Sequence, residues 1–179
     1  MDAIALLKKQ HRKTETALKK LCRGYDRDVL ETLADDLAAH MVIEETVFYP
    51  TVRDAAPDLV LESFEEHAVA QFELKRLLAL DPDDERFTAR ATALFDLVKH
   101  HVEEEEDELF PRVEKALDEE ELEALADELE QRFEDLKERG HGDVLPRAAA
   151  TVTGDRQSNR LANESAHANQ NGRASCRER

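Results

Sequence analysis

Histidine and glutamate recur four residues apart in this chain, on stretches with a helical pattern. HHVEEEEDELFP (100–111) holds His101 and Glu105, and HMVIEETVFYP (40–50) holds His40 and Glu44. Residues at i and i+4 share one face of a helix, about 5 to 6 Å apart, so both side chains reach one point. Imidazole and carboxylate are suitable ligands for iron, manganese or zinc. The spacing therefore predicts metal-binding chemistry.

Each of these pairs interrupts a stripe of apolar residues. An amphipathic helix buries residues at alternating steps of three and four, and four such stripes are present. Each stripe has a histidine near its middle. The stripes are Ile4, Leu7, His11, Thr14, Leu18 and Leu21; Leu30, Leu33, Leu37, His40, Glu44 and Phe48; Val60, Phe64, His67, Ala70, Leu74 and Leu77; and Phe87, Ala91, Leu94, Val98, His101, Glu105 and Leu109.

Two glutamates on buried faces require a positive partner. A carboxylate moved into an apolar core costs several kcal/mol even after relaxation, and no Lys or Arg lies on the four stripes. A single histidine on such a stripe is more commonly a hydrogen-bonded core residue than a ligand, but four in matched positions favour a metal. Two glutamates from two helices can bridge a pair of metal ions, with two histidines on each. His100 is one residue off the stripe, so it is predicted to lie at the surface or to contact the ligands. The Glu run 103–106 is predicted to be a solvated face, apart from Glu105.

The chain also repeats itself. QHRKTETALKKL (10–21) aligns with EHAVAQFELKRL (66–77), and HMVIEETVFYP (40–50) aligns with HVEEEEDELFP (101–111). The repeat predicts a pseudo-twofold four-helix bundle, whose axis brings matched residues together. The matched pairs are His11 and His67, His40 and His101, Glu44 and Glu105, Glu45 and Glu106, and Pro50 and Pro111.

Five helices are predicted to carry these residues. The last has its apolar positions on one face and is expected to pack beside or across the bundle. The chain beyond it is polar and lacks periodicity, so we predict a metal-binding domain over 1–140 and a disordered tail over 141–179, and we exclude His141 and His167 from the site. The predicted helices cover about 3–22, from Asp26 or Asp28 to about 53, 57–80, about 82–117 with Asp81 as N-cap, and the segment from Asp118 to a C-cap at Gly140, with Leu122, Leu125, Leu129 and Phe133 as its stripe.

Composition excludes several classes of function. The formal net charge is −17, which argues against binding to nucleic acid or to an anionic membrane. No apolar run approaches the roughly 20 residues that span a bilayer, and the N-terminus lacks the pattern of a secretory signal. Cys22 and Cys176 lie far apart, so we expect no disulfide and a cytoplasmic location. Neither a protein partner nor an oligomeric state follows from the sequence.

The order of His11, His40 with Glu44, His67, and His101 with Glu105, together with EETVFYP and EEEEDELFP, resembles the hemerythrin-like HHE cation-binding domain family. The resemblance covers residues 3 to 135. It implies an all-α, up-and-down four-helix bundle around a non-haem di-iron centre with an oxo or hydroxo bridge, with manganese or zinc as alternatives. It also implies that the two glutamates bridge the metals and that the four histidines are terminal ligands.

One position departs from the pattern of the oxygen-carrying hemerythrins. These have a second histidine one turn after the residue matching His67, where this chain has Gln71. The residue that matches Gln71 in the first half of the repeat is Glu15. Both are candidates for additional ligands or for residues that contact the ligands, although either can be an ordinary polar helix residue. Tyr25 and Tyr49 lie off the ligand turns and are weaker candidates.

The function expected from this resemblance is a small di-iron protein that binds or reacts with dioxygen, peroxide or nitric oxide. An enzyme that decomposes peroxide or oxidises a small substrate is the first alternative, and an iron-handling or structural metal-binding protein is the second. The metal is expected to lie within an apolar shell that restricts access. The shell residues are Leu7, Leu37, Phe48, Phe64 and Val98.

Overall fold

The computed structural model describes residues 1–145, which are helical apart from short turns and contain no strand. A π-helical turn, Glu44–Phe48, joins α2 to α3, and a second, Glu105–Leu109, joins α5 to α6. The helices are α1 (Ala3–Leu21), α2 (Arg27–Ile43), α3 (Tyr49–Val52), α4 (Pro57–Leu78), α5 (Phe87–Glu104), α6 (Phe110–Ala116), α7 (Glu119–Arg139) and α8 (His141–Val144).

Four of these helices form a closed ring. α1 contacts α2 and α5, and α4 contacts the same two helices. The all-α, up-and-down four-helix bundle predicted from the repeat is therefore confirmed. α7 packs against α1 and α2, as expected for the additional C-terminal helix. Its predicted stripe is buried: Leu122, Leu125, Leu129 and Phe133.

Capping residues explain where α1 begins and where α7 begins and ends. Asp2 Oδ1 accepts a hydrogen bond from the Ala5 N–H at 2.8 Å, which satisfies one of the free donors of the first turn of α1. Asp118 and Glu121 form a capping box that starts α7. α7 ends at Gly140, whose φ of 74° lies in the left-handed region that glycine adopts without strain.

The predicted start of the fourth bundle helix was wrong. Asp81 was expected to cap it, but α5 begins at Phe87 and turns occupy residues 81–86. Asp84 Oδ1 accepts from the Arg86 N–H at 2.9 Å, and the Asp84 carbonyl accepts from the Phe87 N–H at 3.0 Å. Aspartate side chains compete in this way for backbone donors and delay the helix.

The predicted tail also began too early. His141–Val144 forms α8, and Leu145 is buried in the apolar core. His141 donates its backbone N–H to Asp35 Oδ1 at 2.8 Å, and its Nδ1 lies 2.7 Å from the same oxygen. These contacts hold residues 141–145 against α2. The rest of the predicted tail, including His167, lies outside the described residues.

The core consists of two apolar clusters with a polar layer between them. The first includes Leu7, Ile43 and Leu109, and the second includes Leu18, Leu37 and Val98. On each bundle helix, the histidine lies near the boundary between the residues of one cluster and those of the other. None of the helices within residues 1–145 is long and apolar enough to cross a membrane.

Candidate metal centre

Six polar side chains meet in the layer between the two apolar clusters. Four helices supply one histidine each, and the two glutamates are the first residues of the two π-turns. All six are buried, none more than 7% exposed. The structure therefore brings together every residue predicted as a ligand. They are His11 on α1, His40 on α2, His67 on α4, His101 on α5, Glu44 and Glu105.

Glu44 lies between the two halves of the repeat. Its Oε2 is 3.2 Å from His40 Nε2 and 3.4 Å from His67 Nε2. Its Oε1 is 3.9 Å from His11 Nε2. Because His40 and His67 belong to different halves, this carboxylate connects the histidines of both.

Glu105 has the corresponding arrangement. Its Oε2 lies 3.3 Å from His11 Nε2 and 3.6 Å from His101 Nε2, again one histidine from each half. Two carboxylates that each face both halves have the geometry needed to bridge two cations.

The outer nitrogen of every histidine is held by an oxygen that accepts a hydrogen bond. A carboxylate or amide oxygen can only accept, so each Nδ1 must carry the proton, and the Nε2 of a neutral ring then presents its lone pair to the centre. Metal-binding histidines are oriented in this way in proteins generally. The four contacts are His11 Nδ1 to Glu106 at 2.9 Å, His40 Nδ1 to Gln10 at 2.8 Å, His67 Nδ1 to Glu45 at 3.2 Å, and His101 Nδ1 to Glu66 at 2.8 Å.

Several of the inner atoms are left without hydrogen-bond partners. The buried unpaired atoms of the described residues include His11 Nε2, both carboxylate oxygens of Glu44 and Glu105 Oε2. Buried polar atoms are almost always satisfied, so a group of orphaned acceptors at one point requires a missing partner. A metal cation supplies that partner, and the imidazole and carboxylate donor set fits iron, manganese or zinc.

Five of the six residues fall into two groups with a shared member. His11, His40 and Glu44 offer atoms within 4.8 Å of one another, and so do Glu44, His67 and His101. We call the space beside His11 and His40 position A and the space beside His67 and His101 position B. Glu44 is the residue that the two groups share, so it lies between positions A and B.

The π-turns bring a tyrosine into the centre that sequence reasoning had set aside. A π-turn adds one residue to the helical period, so Tyr49, five residues after Glu44, faces inward and is fully buried. Its hydroxyl donates to Glu105 Oε1 at 2.9 Å and lies 3.1 Å from His67 Nε2. The repeat-related residue is Phe110, whose ring stacks on His11 at 5.9 Å.

The two candidates for additional ligands lie outside the centre. Glu15 Oε2 accepts from Lys19 Nζ at 2.8 Å, so it belongs to an ion pair of α1. Gln71 Nε2 donates to Glu45 Oε1 at 3.0 Å and thereby orients the carboxylate that holds His67. Neither residue is among the grouped ligand atoms of positions A and B.

The acidic run 103–106, at the end of α5 and the start of the second π-turn, is only partly a solvated face. Glu106 is 15% exposed, and its carboxylate holds both His11 and Arg12. Its match to Glu45 in the repeat was the signal that could have identified it. His100, with 64% of its side chain exposed, lies on the surface near Glu66 and Glu104, as expected from its place off the stripe.

Most of the predicted apolar shell surrounds the centre. Leu7 and Phe48 are fully buried on one side, and Leu37 and Val98 are buried on the other. Phe64 is partly buried and packs against Tyr49, with ring centroids 5.2 Å apart.

Burial and the neighbouring carboxylates shift the pKa values of two histidines of the centre in opposite directions. Burial lowers the pKa of His67, but the adjacent carboxylates of Glu44 and Glu45 outweigh it and raise the pKa to about 9. Burial dominates at His40 and lowers its pKa to about 3, despite the attraction of Glu44. In the metal-free protein at pH 7, His67 is therefore protonated and His40 is neutral.

Metal binding at pH 7 should release at least one proton per chain. The His67 proton must leave for Nε2 to bind a cation, so metal affinity should rise by up to about tenfold per pH unit between pH 7 and about 9. Calorimetric titration in two buffers of different ionisation enthalpy counts the released protons. Glu45→Gln should lower the count, because Glu45 holds that pKa up. Identical heats in both buffers would contradict the assignment.

Comparison with known proteins gives three similarities. The family model of the hemerythrin HHE cation binding domain matches residues 2–113. A solved hemerythrin HHE cation binding domain-containing protein from Mycobacterium kansasii has a TM-score of 0.68 and 22% identity, over 78% of this chain and 89% of that one. A DNA nickase from Nostoc sp. is 27% identical over 144 residues, 78% of this chain and 41% of the nickase. The chain therefore spans less than half the length of that relative.

The family match covers well over half of the chain and contains all six predicted ligands, from His11 to Glu105. The structural similarity to the Mycobacterium kansasii protein independently supports the helical-bundle fold. The chain belongs to the hemerythrin HHE cation-binding domain family.

Proposed function

We propose that this chain holds two iron ions at positions A and B, and that the centre binds or reacts with a small neutral oxidant: dioxygen, hydrogen peroxide or nitric oxide. The observation that carries the proposal is the convergence of four Nε2 atoms on two buried carboxylates with unpaired oxygens. Iron with open coordination positions supplies electron transfer to and from such ligands. Manganese and zinc suit the same donors. Zinc has no redox chemistry, so it would support less of this reactivity.

A cavity of about 260 Å³ supports access by a small molecule. It reaches the histidines of both positions between α4 and α5, and glutamates lie among its lining residues. Apolar walls with acidic groups favour neutral ligands over anions such as superoxide, because like charges repel. The apolar lining residues are Leu37, Met41, Val69, Ala70, Leu97, Val98 and Val102.

Narrowing this cavity should slow ligand association without removing metal. Val69 lines the cavity and is 47% exposed, so Val69→Trp adds bulk with little cost to the core. Stopped-flow mixing with nitric oxide should show a several-fold slower rate at unchanged metal content. Leu61→Trp is the matched control, since Leu61 is 53% exposed and does not line the cavity. Equal rates in both variants would mean that ligands enter elsewhere.

Tyr49 is the proton donor of the proposed reaction. Burial, together with the charges of Glu105 and Glu44, raises the pKa of Tyr49 well above its usual value, so the phenol keeps its proton at neutral pH. Its hydroxyl lies 3.1 Å from His67 Nε2, beside position B, where it can donate to an oxygen of a bound oxidant. General acids of this kind contribute about 10²- to 10⁴-fold to rates.

Tyr49→Phe should therefore lower the rate of peroxide consumption by about a hundredfold and leave metal content unchanged. Tyr25→Phe is the matched control, because Tyr25 packs on Phe87 at the other end of the bundle. Oxygen evolution and metal analysis measure the two effects. A visible tyrosinate-to-iron band that disappears in Tyr49→Phe would instead identify the residue as a ligand.

Decomposition of peroxide is the second candidate function. Two hydrogen peroxide molecules yield two waters and one dioxygen, so the reaction balances without an external reductant. The buried proton donor Tyr49 favours this activity over simple reversible carriage. An iron-storage role is less favoured, since two positions have little capacity.

DNA nicking, the activity named for the Nostoc relative, is not part of the proposal. A formal net charge of −17 opposes binding to phosphate backbones. The relative is also more than twice as long as the shared region.

We place the protein in the cytoplasm, where a reductant for the centre is available.

Metal content per chain and the visible spectrum of the aerobically purified protein test the proposal first. Close to two irons per chain, with near-ultraviolet bands of a bridged ferric pair, would support it. Reversible bleaching on deoxygenation would identify oxygen binding, and sustained oxygen evolution would identify peroxide turnover. A single zinc ion, or metal that only raises thermal stability, would overturn the redox function.

A further inference from the structure

The groups that hold the histidines of position A carry no net charge. His40 Nδ1 donates to the neutral amide of Gln10 at 2.8 Å. His11 Nδ1 donates to Glu106 at 2.9 Å, but Arg12 donates two hydrogen bonds to the same carboxylate, at 2.6 and 3.0 Å. The guanidinium cation offsets the carboxylate, so the formal charge behind position A is zero.

The groups that hold the histidines of position B are both anions. His67 Nδ1 donates to Glu45 at 3.2 Å, and this carboxylate also accepts from the neutral amide of Gln71 at 3.0 Å. His101 Nδ1 donates to Glu66 at 2.8 Å. The two carboxylates place a formal charge of −2 behind position B. The exposed His100 lies 3.7 Å from the second Glu66 oxygen.

The difference arises from single substitutions within the repeat. Gln10 occupies the place of Glu66, and Arg12 occupies the place of Ala68. The carboxylates on the other two histidines, Glu106 and Glu45, match each other. Because the histidines and glutamates of the centre match between the two halves of the repeat, these side chains distinguish the two positions.

The inner faces of the two positions also differ. Position B lies against the Tyr49 hydroxyl, 3.1 Å from His67 Nε2. Position A has the Phe110 ring instead, stacked on His11 with an interplanar angle of 6°. Position B is thus more polar on its inner face as well as more negative behind its ligands.

We propose that the two positions bind cations in a fixed order, position B first and more tightly, with position A the weaker and exchangeable one. A carboxylate that accepts from Nδ1 raises the basicity of the imidazole, and losing such a partner typically weakens metal binding about 10- to 100-fold. Gln10 and Arg12 are the positioning residues that lower the affinity of position A. The inference rests on the two-cation centre of the proposed function.

Titration of chelator-treated protein with Co²⁺ tests the order of binding. We expect two steps separated by about 10- to 100-fold in affinity. In crystals grown with one equivalent of Co²⁺, anomalous diffraction should locate the ion beside His67 and His101. Equal occupancy of both positions, or an ion beside His11 and His40, would overturn the proposal.

Arg12→Gln removes the charge that offsets Glu106 without disturbing the core, because 58% of the Arg12 side chain is exposed. It should tighten the weaker step and leave the stronger step unchanged. Arg112→Gln is the matched control: it changes the net charge equally and also removes an ion pair, with Glu108. If both variants shift the weaker step alike, long-range charge explains the effect and the role of Arg12 is refuted.

Glu66→Gln replaces the carboxylate that holds His101 with a neutral amide, as Gln10 provides for His40. The stronger step should then weaken by about 10- to 100-fold, and Gln10→Glu should tighten the weaker step. Circular dichroism establishes that each variant is folded. Unchanged affinities in both folded variants would refute the inference.

These measurements need no oxidant, so the two proposals fail separately. Ordered binding of two Co²⁺ ions by a protein that does not react with oxidants would refute only the oxidant chemistry. Binding of a single Co²⁺ per chain would overturn the two-cation centre and this inference with it.

Discussion

Replacing Glu44 with glutamine should reduce the metal content from two ions per chain to one or none. Glu44 is fully buried, and both of its oxygens lack a hydrogen-bond partner among the described residues. It is also the member shared by positions A and B. Because loss of a group that merely supports a ligand costs about 10- to 100-fold in affinity, loss of the bridging charge should cost more than about a hundredfold.

Metal analysis after dialysis against a weak chelator measures this effect. The substitution preserves the size of the side chain, so a folded variant is expected. His100→Ala is the control, since His100 is exposed and should retain the full metal content. If His100→Ala lost the metal while Glu44→Gln kept two ions, the centre would lie at the surface cluster of Glu66, His100 and Glu104 instead.

Adding metal to chelator-treated protein should raise the melting temperature by roughly 8–16 °C. A ligand that binds only the folded state at 1,000 times its Kd contributes about 4 kcal/mol, and each kcal/mol is worth about 2–4 °C in a chain of this size. The cation also gives a partner to the orphaned oxygens of Glu44 and Glu105. The stabilisation should therefore extend to the whole bundle, because the ligands come from all four of its helices.

Scanning calorimetry with and without Zn²⁺ measures the shift without redox side reactions. Glu44→Gln should show less than half of the wild-type increase. An equal increase in the variant would indicate that Zn²⁺ stabilises the protein through another site, and no increase in the wild type would contradict a buried metal centre.

The local pattern of the sequence was sufficient to predict the bundle helices and the six side chains that meet at the candidate metal centre. The i, i+4 spacing of His40 with Glu44 and of His101 with Glu105 is a property of one helix, so it needs no knowledge of the neighbours. The repeat then aligned His11 with His67 and indicated that both pairs meet at one axis. The exception was the start of α5, where Asp84 binds backbone donors that a regular helix would have used.

Only the tertiary structure determined the surroundings of those ligands. A π-turn cannot be read from a period of 3.6 residues, and it is the π-turn at Glu44–Phe48 that turns Tyr49 inward. Glu106 looked solvated because its partners, His11 and Arg12, are more than 90 residues away along the chain. The sequence by itself determined which residues are candidates to bind metal, since residue type and helical spacing are local. The packing of the four helices decided which oxygen holds each imidazole, and hence how positions A and B differ, because those contacts exist only between helices.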